Sequence, residues 1–157
     1  MKIKKYHGDF TNGLPHTYEI LQSGGFCVHP AVKSVAIYGS RGLEKIPRFD
    51  SDVNLWLVVD TKTIPRDEKK AMQFLDEVLD ETEKNWKGQN PLDLFVVFDV
   101  ASCNLRCLEK GFRRCSTNPG MTNCLGIYRR SALFRGFLNN EGCDISQALP
   151  FCTVYLA

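Results

Sequence analysis

Two apolar runs constrain the fold of this chain more than any other feature. Residues Val53 to Asp60 read VNLWLVVD, and residues Leu92 to Val100 read LDLFVVFDV. Both runs are rich in β-branched and aromatic side chains, which favour strands. The second run is apolar at nearly every position, which is typical of a strand covered on both faces. The sequence therefore predicts two neighbouring strands in the middle of the chain.

A long amphipathic stretch separates these two runs. From Asp67 to Lys87, apolar side chains recur at helical spacing and would form one face of a helix: Ala71, Phe74, Leu75, Val78, Leu79 and Trp86. Such spacing predicts a helix with one apolar side. Gly88 and then Pro91 indicate where this helix ends. Strand, helix and strand in this order predict an α/β fold.

The rest of the chain extends this pattern. Residues 1–13 are predicted to be an exposed lead-in that ends in a turn at Thr11-Asn12-Gly13. The other predicted elements are a helix from Leu14 to Ser23, a buried strand from Val32 to Tyr38, a helix from Ala101 to Arg114, a strand from Cys124 to Arg130 and a helix from Ser131 to Asn139. Together these elements predict a small mixed β-sheet flanked by α-helices.

Length and composition indicate one globular domain over residues 1–157. The chain has 157 residues, of which 43% are hydrophobic, and its net charge is only +2. That charge gives no support for a nucleic-acid or membrane partner. The seven cysteines form an odd set, and the basic start MKIKKYHGDF lacks the apolar stretch of an export signal. We therefore expect a cytoplasmic protein with mostly buried, reduced cysteines.

The dipeptide Gly39-Ser40 is the first candidate for ligand binding. It follows the strand Val32–Tyr38 and precedes a predicted helical turn from Arg41 to Pro47. A glycine lets a phosphate approach the backbone, and N–H groups at the start of a helix attract anions. Ser40 adds a hydroxyl donor and Arg41 a nearby cation. Taken alone, the dipeptide also suits an ordinary turn.

Acidic and amide side chains form the second candidate. Asp52 and Asn54 are two residues apart at the start of a strand, so both side chains point to one face. Asp93 interrupts the start of the next apolar strand, where a carboxylate needs a partner because an unpaired buried charge is costly. That partner is either a metal ion or an internal basic group.

In combination, these motifs resemble those of the DNA polymerase β-like nucleotidyltransferase superfamily, and most closely its small bacterial members, the minimal nucleotidyltransferases. The chain reads HPAVKSVAIYGSRG, then a spacer, then SDVNLWLVV. The family pattern is a hydrophobic strand, Gly-Ser, a spacer, and two carboxylates that alternate with hydrophobic residues. LDLFVV, after the amphipathic helix, resembles the strand that carries the third carboxylate. The resemblance covers residues 28–97, whereas residues 101–157 form a C-terminal extension outside it.

The resemblance implies a nucleotidyltransferase-like fold and an activity. By analogy, Gly39 and Ser40, with Arg41 beside them, hold the triphosphate of a nucleotide such as ATP. Asp52, Asn54 and Asp93 are the matching positions for magnesium binding, and Asp52 and Asp93 are the candidate catalytic residues. A nucleoside monophosphate would pass to a hydroxyl acceptor, which is either a partner protein or a small hydroxylated molecule.

Asn54 departs from this pattern, because an amide oxygen brings no negative charge to a cation. This departure leaves three hypotheses open. The chain is an active magnesium-dependent transferase, or a degenerate member that binds a nucleotide or a partner protein without turnover. Alternatively, it is an interaction module whose acids are satisfied by internal basic groups.

A basic, partly apolar region follows the resemblance. Arg113, Arg114, Arg129 and Arg130 either line the triphosphate cleft, receive an acidic acceptor or form a solvated face. Leu133, Phe134, Phe137 and Leu138 either pack on the sheet or form the contact of a homodimer.

Overall fold

A six-stranded mixed β-sheet forms the centre of the protein. The computed structural model describes residues 2–38, 41, 51–65, 67–98, 127–133, 135–137 and 152–157. The elements in chain order are α1 (Gly8–Gly13), α2 (Pro15–Ser23), β1 (Val32–Tyr38), β2 (Val53–Val59), a short 3-10 turn (Thr61–Thr63), α3 (Glu68–Asn85), β3 (Leu92–Phe98), β4 (Ile127–Arg130), β5 (Arg135–Phe137) and β6 (Cys152–Leu156). This is the mixed α/β architecture that the sequence predicts.

The strand order in the sheet is β5-β4-β3-β2-β1-β6. Strands β2 and β3 are parallel, as expected for two strands joined by a helix, and the other neighbours are antiparallel. The centre of the sheet is therefore formed by the apolar strands that the sequence identifies most directly.

The three helices pack on one face of the sheet. Phe10 of α1, Leu21 of α2 and Leu75 of α3 have no exposed surface and share one apolar cluster with Ile37 of β1 and Leu55 of β2. Asp67 caps α3 by accepting a hydrogen bond from the Lys70 amide at 3.0 Å. The apolar stripe of α3 is thus turned toward the sheet, as its periodicity predicts.

The opposite face of the sheet has its own smaller apolar cluster. Ala36, Trp56 and Val97 are buried there, and the half-buried side chains of Tyr38 and Phe95 pack against them. The rings of Tyr38 and Trp56 lie 4.7 Å apart between centroids. This second face carries the candidate site.

The N-terminal segment differs from its prediction as an exposed lead-in. Its residues form α1, and Phe10 is fully buried between the rings of Tyr6 and Tyr18. The His7 amide donates a hydrogen bond to the Val154 carbonyl of β6 at 2.8 Å. The prediction failed because this contact joins opposite ends of the chain.

The prediction of a helix from Ser131 to Asn139 is wrong for the part that the structure describes. Residues Arg135–Phe137 form β5, which pairs with β4 so that Gly136 lies opposite Arg129. Glycine costs about 1 kcal/mol relative to alanine inside a helix, so this segment has a weak helical preference. Pairing with β4 overrides that preference.

Several predictions reach beyond the described residues, namely the helix from Ala101 to Arg114, the Gly39-Ser40 turn and most of the segment from Arg41 to Pro47. Where the structure does describe the chain, none of its helices combines the length and the apolar character needed to cross a bilayer. Cys27 and Cys152 are free thiols with buried side chains.

Candidate functional site

Strand register brings polar residues together on the face away from the helices. Asn54 of β2 pairs with Asp93 of β3, and Tyr38 of β1 pairs with Asn54 on its other side. Neighbouring strands lie about 4.8 Å apart, so these three residues form one continuous row across the sheet. The flanking residues Val53 and Leu94 point into the core on the helix side.

Asp52 extends this row by one more carboxylate. It lies two residues before Asn54 and is half-buried. Its charge acts on Asp93 and on Tyr38, which places Asp52 within electrostatic range of both. The structure thus brings together Asp52, Asn54 and Asp93, the three positions that the sequence proposes as metal ligands.

Arg129 of β4 supplies the cation of this site. Its Nη2 atom lies 3.3 Å from Oδ1 of Asp93, and the two side chains are 38% and 29% exposed. Its guanidinium carbon also lies 4.7 Å from the centre of the Phe95 ring, at cation–π distance. Two carboxylates and one guanidinium leave the described part of the site with a net charge of −1.

The environment makes Asp93 a weaker acid than an ordinary aspartate. Burial is the largest cause of its raised pKa, the Arg129 guanidinium opposes the rise, and the Asp52 charge adds to it. The pKa of Tyr38 is raised well above its usual value, first by burial and then by the charge of Asp93. A carboxylate with a raised pKa is a better proton acceptor once it is ionised.

The start of β2 is held by contacts to the carbonyl of Ser51. Arg41 is 2% exposed, and its Nε donates to that carbonyl at 3.1 Å. The Asn90 amide nitrogen donates to the same oxygen at 3.1 Å, and Thr17 donates to the Arg41 carbonyl at 3.0 Å. These bonds hold the backbone directly before Asp52, and a contact of Arg41 with a triphosphate stays a prediction.

The dipeptide Gly39-Ser40, which the sequence predicts to bind a triphosphate, lies outside the described residues. Its neighbour Tyr38 is the last residue of β1 and lies in the same row as Asn54. The placement of Gly39-Ser40 as a phosphate-binding turn stays a prediction.

The described members of the predicted basic cluster, Arg129 and Arg130, lie on opposite faces of the sheet, whereas Arg113 and Arg114 lie outside the described residues. Arg129 faces the candidate site, whereas Arg130 contacts α3 through Asp80 at 2.7 Å and Glu83 at 2.9 Å. Adjacent residues of a strand point to opposite faces, which explains this division. Arg135 joins Arg130 by binding Asp76 through Nε at 2.8 Å.

The oxygen atoms of the site suit a hard divalent cation. Mg²⁺ is bound in proteins by one or two carboxylates together with neutral oxygens, and Asp52, Asp93 and the Asn54 amide supply that set. Within the described ranges, no group of three His, Cys, Asp or Glu side chains is arranged to hold a metal. The fit to magnesium therefore depends on Asn54 as the third oxygen donor.

Tyr38 and Asn90 were missed by the sequence reasoning, and Arg129 was named only within a larger cluster. Tyr38 directly precedes Gly39, and this proximity to a predicted ligand-binding turn could have identified Tyr38 as a residue of the site. The contact of Asn90 with Ser51 spans 39 residues, and that of Arg129 with Asp93 spans 36. No local pattern reports contacts of that separation.

Comparisons with known proteins identify no relative. No protein-family model matches the chain, and neither a curated protein nor a solved structure shows significant similarity to it. The motifs of the chain and the geometry of the site are therefore what indicates a function.

Proposed function

We propose that this protein is a magnesium-dependent nucleotidyltransferase with a nucleotidyltransferase-like fold. The observation that carries the proposal is the direct register of Asn54 with Asp93, with Asp52 within electrostatic range of Asp93. The residues that the motifs predict as metal ligands thus lie near one another on the sheet. The nucleotide is proposed to be ATP or another triphosphate, with Gly39 and Ser40 against its phosphates.

Asp52, Asn54 and Asp93 would hold magnesium through their side-chain oxygens. Bound there, the ion would neutralise phosphate charge and lower the pKa of the acceptor hydroxyl. Arg41 would keep Asp52 in place through the Ser51 carbonyl. The site needs this rigidity because a displacement of about 1 Å costs about a hundredfold in rate.

Asp93 is the proposed general base. Its ionised carboxylate would take the proton of the acceptor hydroxyl as the acceptor oxygen forms a bond to the α-phosphorus. The bond between the α-phosphorus and the oxygen that bridges to the β-phosphorus breaks, and pyrophosphate leaves with that electron pair.

The acceptor is proposed to be the hydroxyl of a partner protein or of a small hydroxylated molecule. Both alternatives need only an O–H group within reach of Asp93. Labelled ATP separates them, because label is retained on added protein in one case and on a small molecule in the other.

The experiment that tests the proposal combines binding with transfer. Calorimetry should detect binding of MgATP to the native protein, and labelled ATP should deliver its α-phosphate to an acceptor. Asp52→Ala and Asp93→Ala should each lower the metal-dependent affinity by at least about 10-fold. Asp9→Ala is the control, because the Asp9 side chain is 86% exposed and lies in α1 on the helix side. Unchanged binding by both site variants would refute the site.

A second candidate is nucleotide binding without turnover. Two observations favour it: Asn54 withholds a negative charge, and Arg129 already pairs with the proposed base Asp93. This candidate predicts that MgATP binds and that no label reaches any acceptor. Recovery of transfer by Asn54→Asp would assign the loss of activity to that position.

A further inference from the structure

The two adjacent arginines of β4 are held very differently. Arg130 contacts three acids of α3, with shortest distances of 2.7 Å to Asp80, 2.9 Å to Glu83 and 3.5 Å to Asp76. Arg129 makes one described ion pair, to Asp93, at 3.3 Å. Charge-assisted hydrogen bonds of this kind are typically about 2.7–2.9 Å, so the Arg129 contact is long.

Arg129 also has a second favourable contact, with the ring of Phe95. Its side chain is 38% exposed and its guanidinium lies over the Phe95 ring at 4.7 Å. The ring would retain the cation after a small movement away from Asp93, because its face attracts positive charge. Arg129 is therefore placed to leave Asp93 at low cost.

We propose that Arg129 is an internal competitor of the divalent cation: it neutralises Asp93 while the cation is absent and withdraws when the cation binds. This inference rests on the proposed function, since it concerns the same carboxylates. A guanidinium and a dication cannot both neutralise Asp93 fully, because like charges repel strongly over a few ångströms. The affinity of the site for the cation is thus set partly by Arg129.

Removing the competitor should tighten binding of the cation. The probe is Mn²⁺ alone, without nucleotide, in about 0.1 M salt, with free Mn²⁺ measured by electron paramagnetic resonance. We expect Arg129→Gln to bind Mn²⁺ about tenfold more tightly than the native protein, by loss of one nearby positive charge. Arg129→Lys keeps the charge and should bind like the native protein.

Arg130→Gln is the matched control, because it removes the same charge from the next residue on the opposite face. It should leave Mn²⁺ affinity within about twofold, because its charge is already balanced by three acids of α3 on the opposite face and the salt weakens what remains. Thermal unfolding of each variant without metal reports whether the fold is kept. A purely structural role for Arg129 would lower the unfolding temperature and would not tighten Mn²⁺ binding.

The outcomes separate this inference from the proposed function. Native protein that binds Mn²⁺ and transfers nucleotide, with Arg129→Gln binding equally or more weakly, would overturn the inference alone. Binding of Mn²⁺ by Arg129→Gln but not by the native protein would support the inference, and transfer from labelled ATP decides the proposed function separately. Absence of Mn²⁺ binding by both proteins would overturn the inference, and absence of MgATP binding as well would overturn both.

Discussion

Asn54 and Asp93 lie directly opposite each other on the parallel strands β2 and β3. The residue that departs from the expected carboxylate pattern is thus the immediate neighbour of the proposed base. An amide at this place supplies an oxygen for a cation but no charge. The site therefore lacks one expected negative charge at a single position, and one substitution can supply it.

Asn54→Asp should raise the affinity for divalent cations. The new carboxylate would stand beside Asp93 and close to Asp52, and a third negative charge attracts a dication strongly. Removing a metal-site partner typically costs about 10–100-fold, and the added charge should gain a comparable factor. Titration with Mn²⁺ in a calorimeter measures the change.

Asn12→Asp is the control for this substitution, because Asn12 is exposed on α1, on the helix side of the sheet. It should leave the Mn²⁺ affinity unchanged. Equal affinities of Asn54→Asp and native protein would show that the cation does not bind at this row.

The grouping of Asp52, Asn54 and Asp93 could be predicted from the sequence because it depends on short-range spacing. Two residues at positions i and i+2 of a strand share a face, and the same rule fixes Asp52 and Asn54. That Asp93 lies beside them follows from a parallel pair joined by one helix. The ion pair of Asp93 with Arg129 could not be predicted, because it depends on how β4 pairs with β3 across 36 residues.

The same distinction separates the elements that were predicted from those that were missed. The apolar residues of helix α3 recur at helical spacing, so its position could be predicted from the sequence. Strand β5 exists through pairing with β4, and β6 through pairing with β1. Neither segment carries a strong local signal, so the predicted helix at β5 was wrong and β6 was not anticipated.

Tyr128→Phe should destabilise the protein. Tyr128 is fully buried, and its hydroxyl donates to Oδ1 of Asp76 at 2.6 Å. A hydrogen bond to a charged group contributes about 1.5–3 kcal/mol, so the free energy of unfolding should fall by about 2 kcal/mol. Urea denaturation followed by circular dichroism measures the loss.

Asp80→Asn provides the comparison within the same contact surface of α3. The Asp80 side chain is 58% exposed, and exposed ion pairs contribute about 0–1 kcal/mol. Asp80→Asn should therefore lower the free energy of unfolding by less than Tyr128→Phe does. A reversed order would mean that the exposed acids, rather than the buried tyrosine, hold β4 against the helix.

Gly88→Ala should also destabilise the protein, by a steric route. A Cβ at Gly88 would overlap the ring of Trp86, which is itself fixed by a hydrogen bond from its Nε1 to the Asn90 carbonyl at 2.8 Å. Overpacking of this kind costs about 1–3 kcal/mol. Gly8→Ala is the matched control, because a Cβ at that glycine meets no heavy atom within 4 Å. Equal unfolding midpoints for the two variants in urea would show that the Trp86 ring moves aside without loss of stability.

Tyr6 should make the stability of the fold depend on pH in the alkaline range. Burial is the main cause that raises the pKa of Tyr6 from 10.0 to about 12, and Tyr18 and Cys27 add to it. The unfolded chain therefore loses this proton first, so the folded state binds more protons between these two values. The free energy of unfolding then falls as pH rises through this window, by at most about 1.4 kcal/mol per pH unit for one group. The Tyr6→Phe variant has no hydroxyl to ionise at this position, so its free energy of unfolding should fall less steeply than that of the native protein over the same pH range.

Urea denaturation of both proteins at increasing pH measures the two slopes. Parallel slopes would show that burial does not hold the Tyr6 phenol in its neutral form.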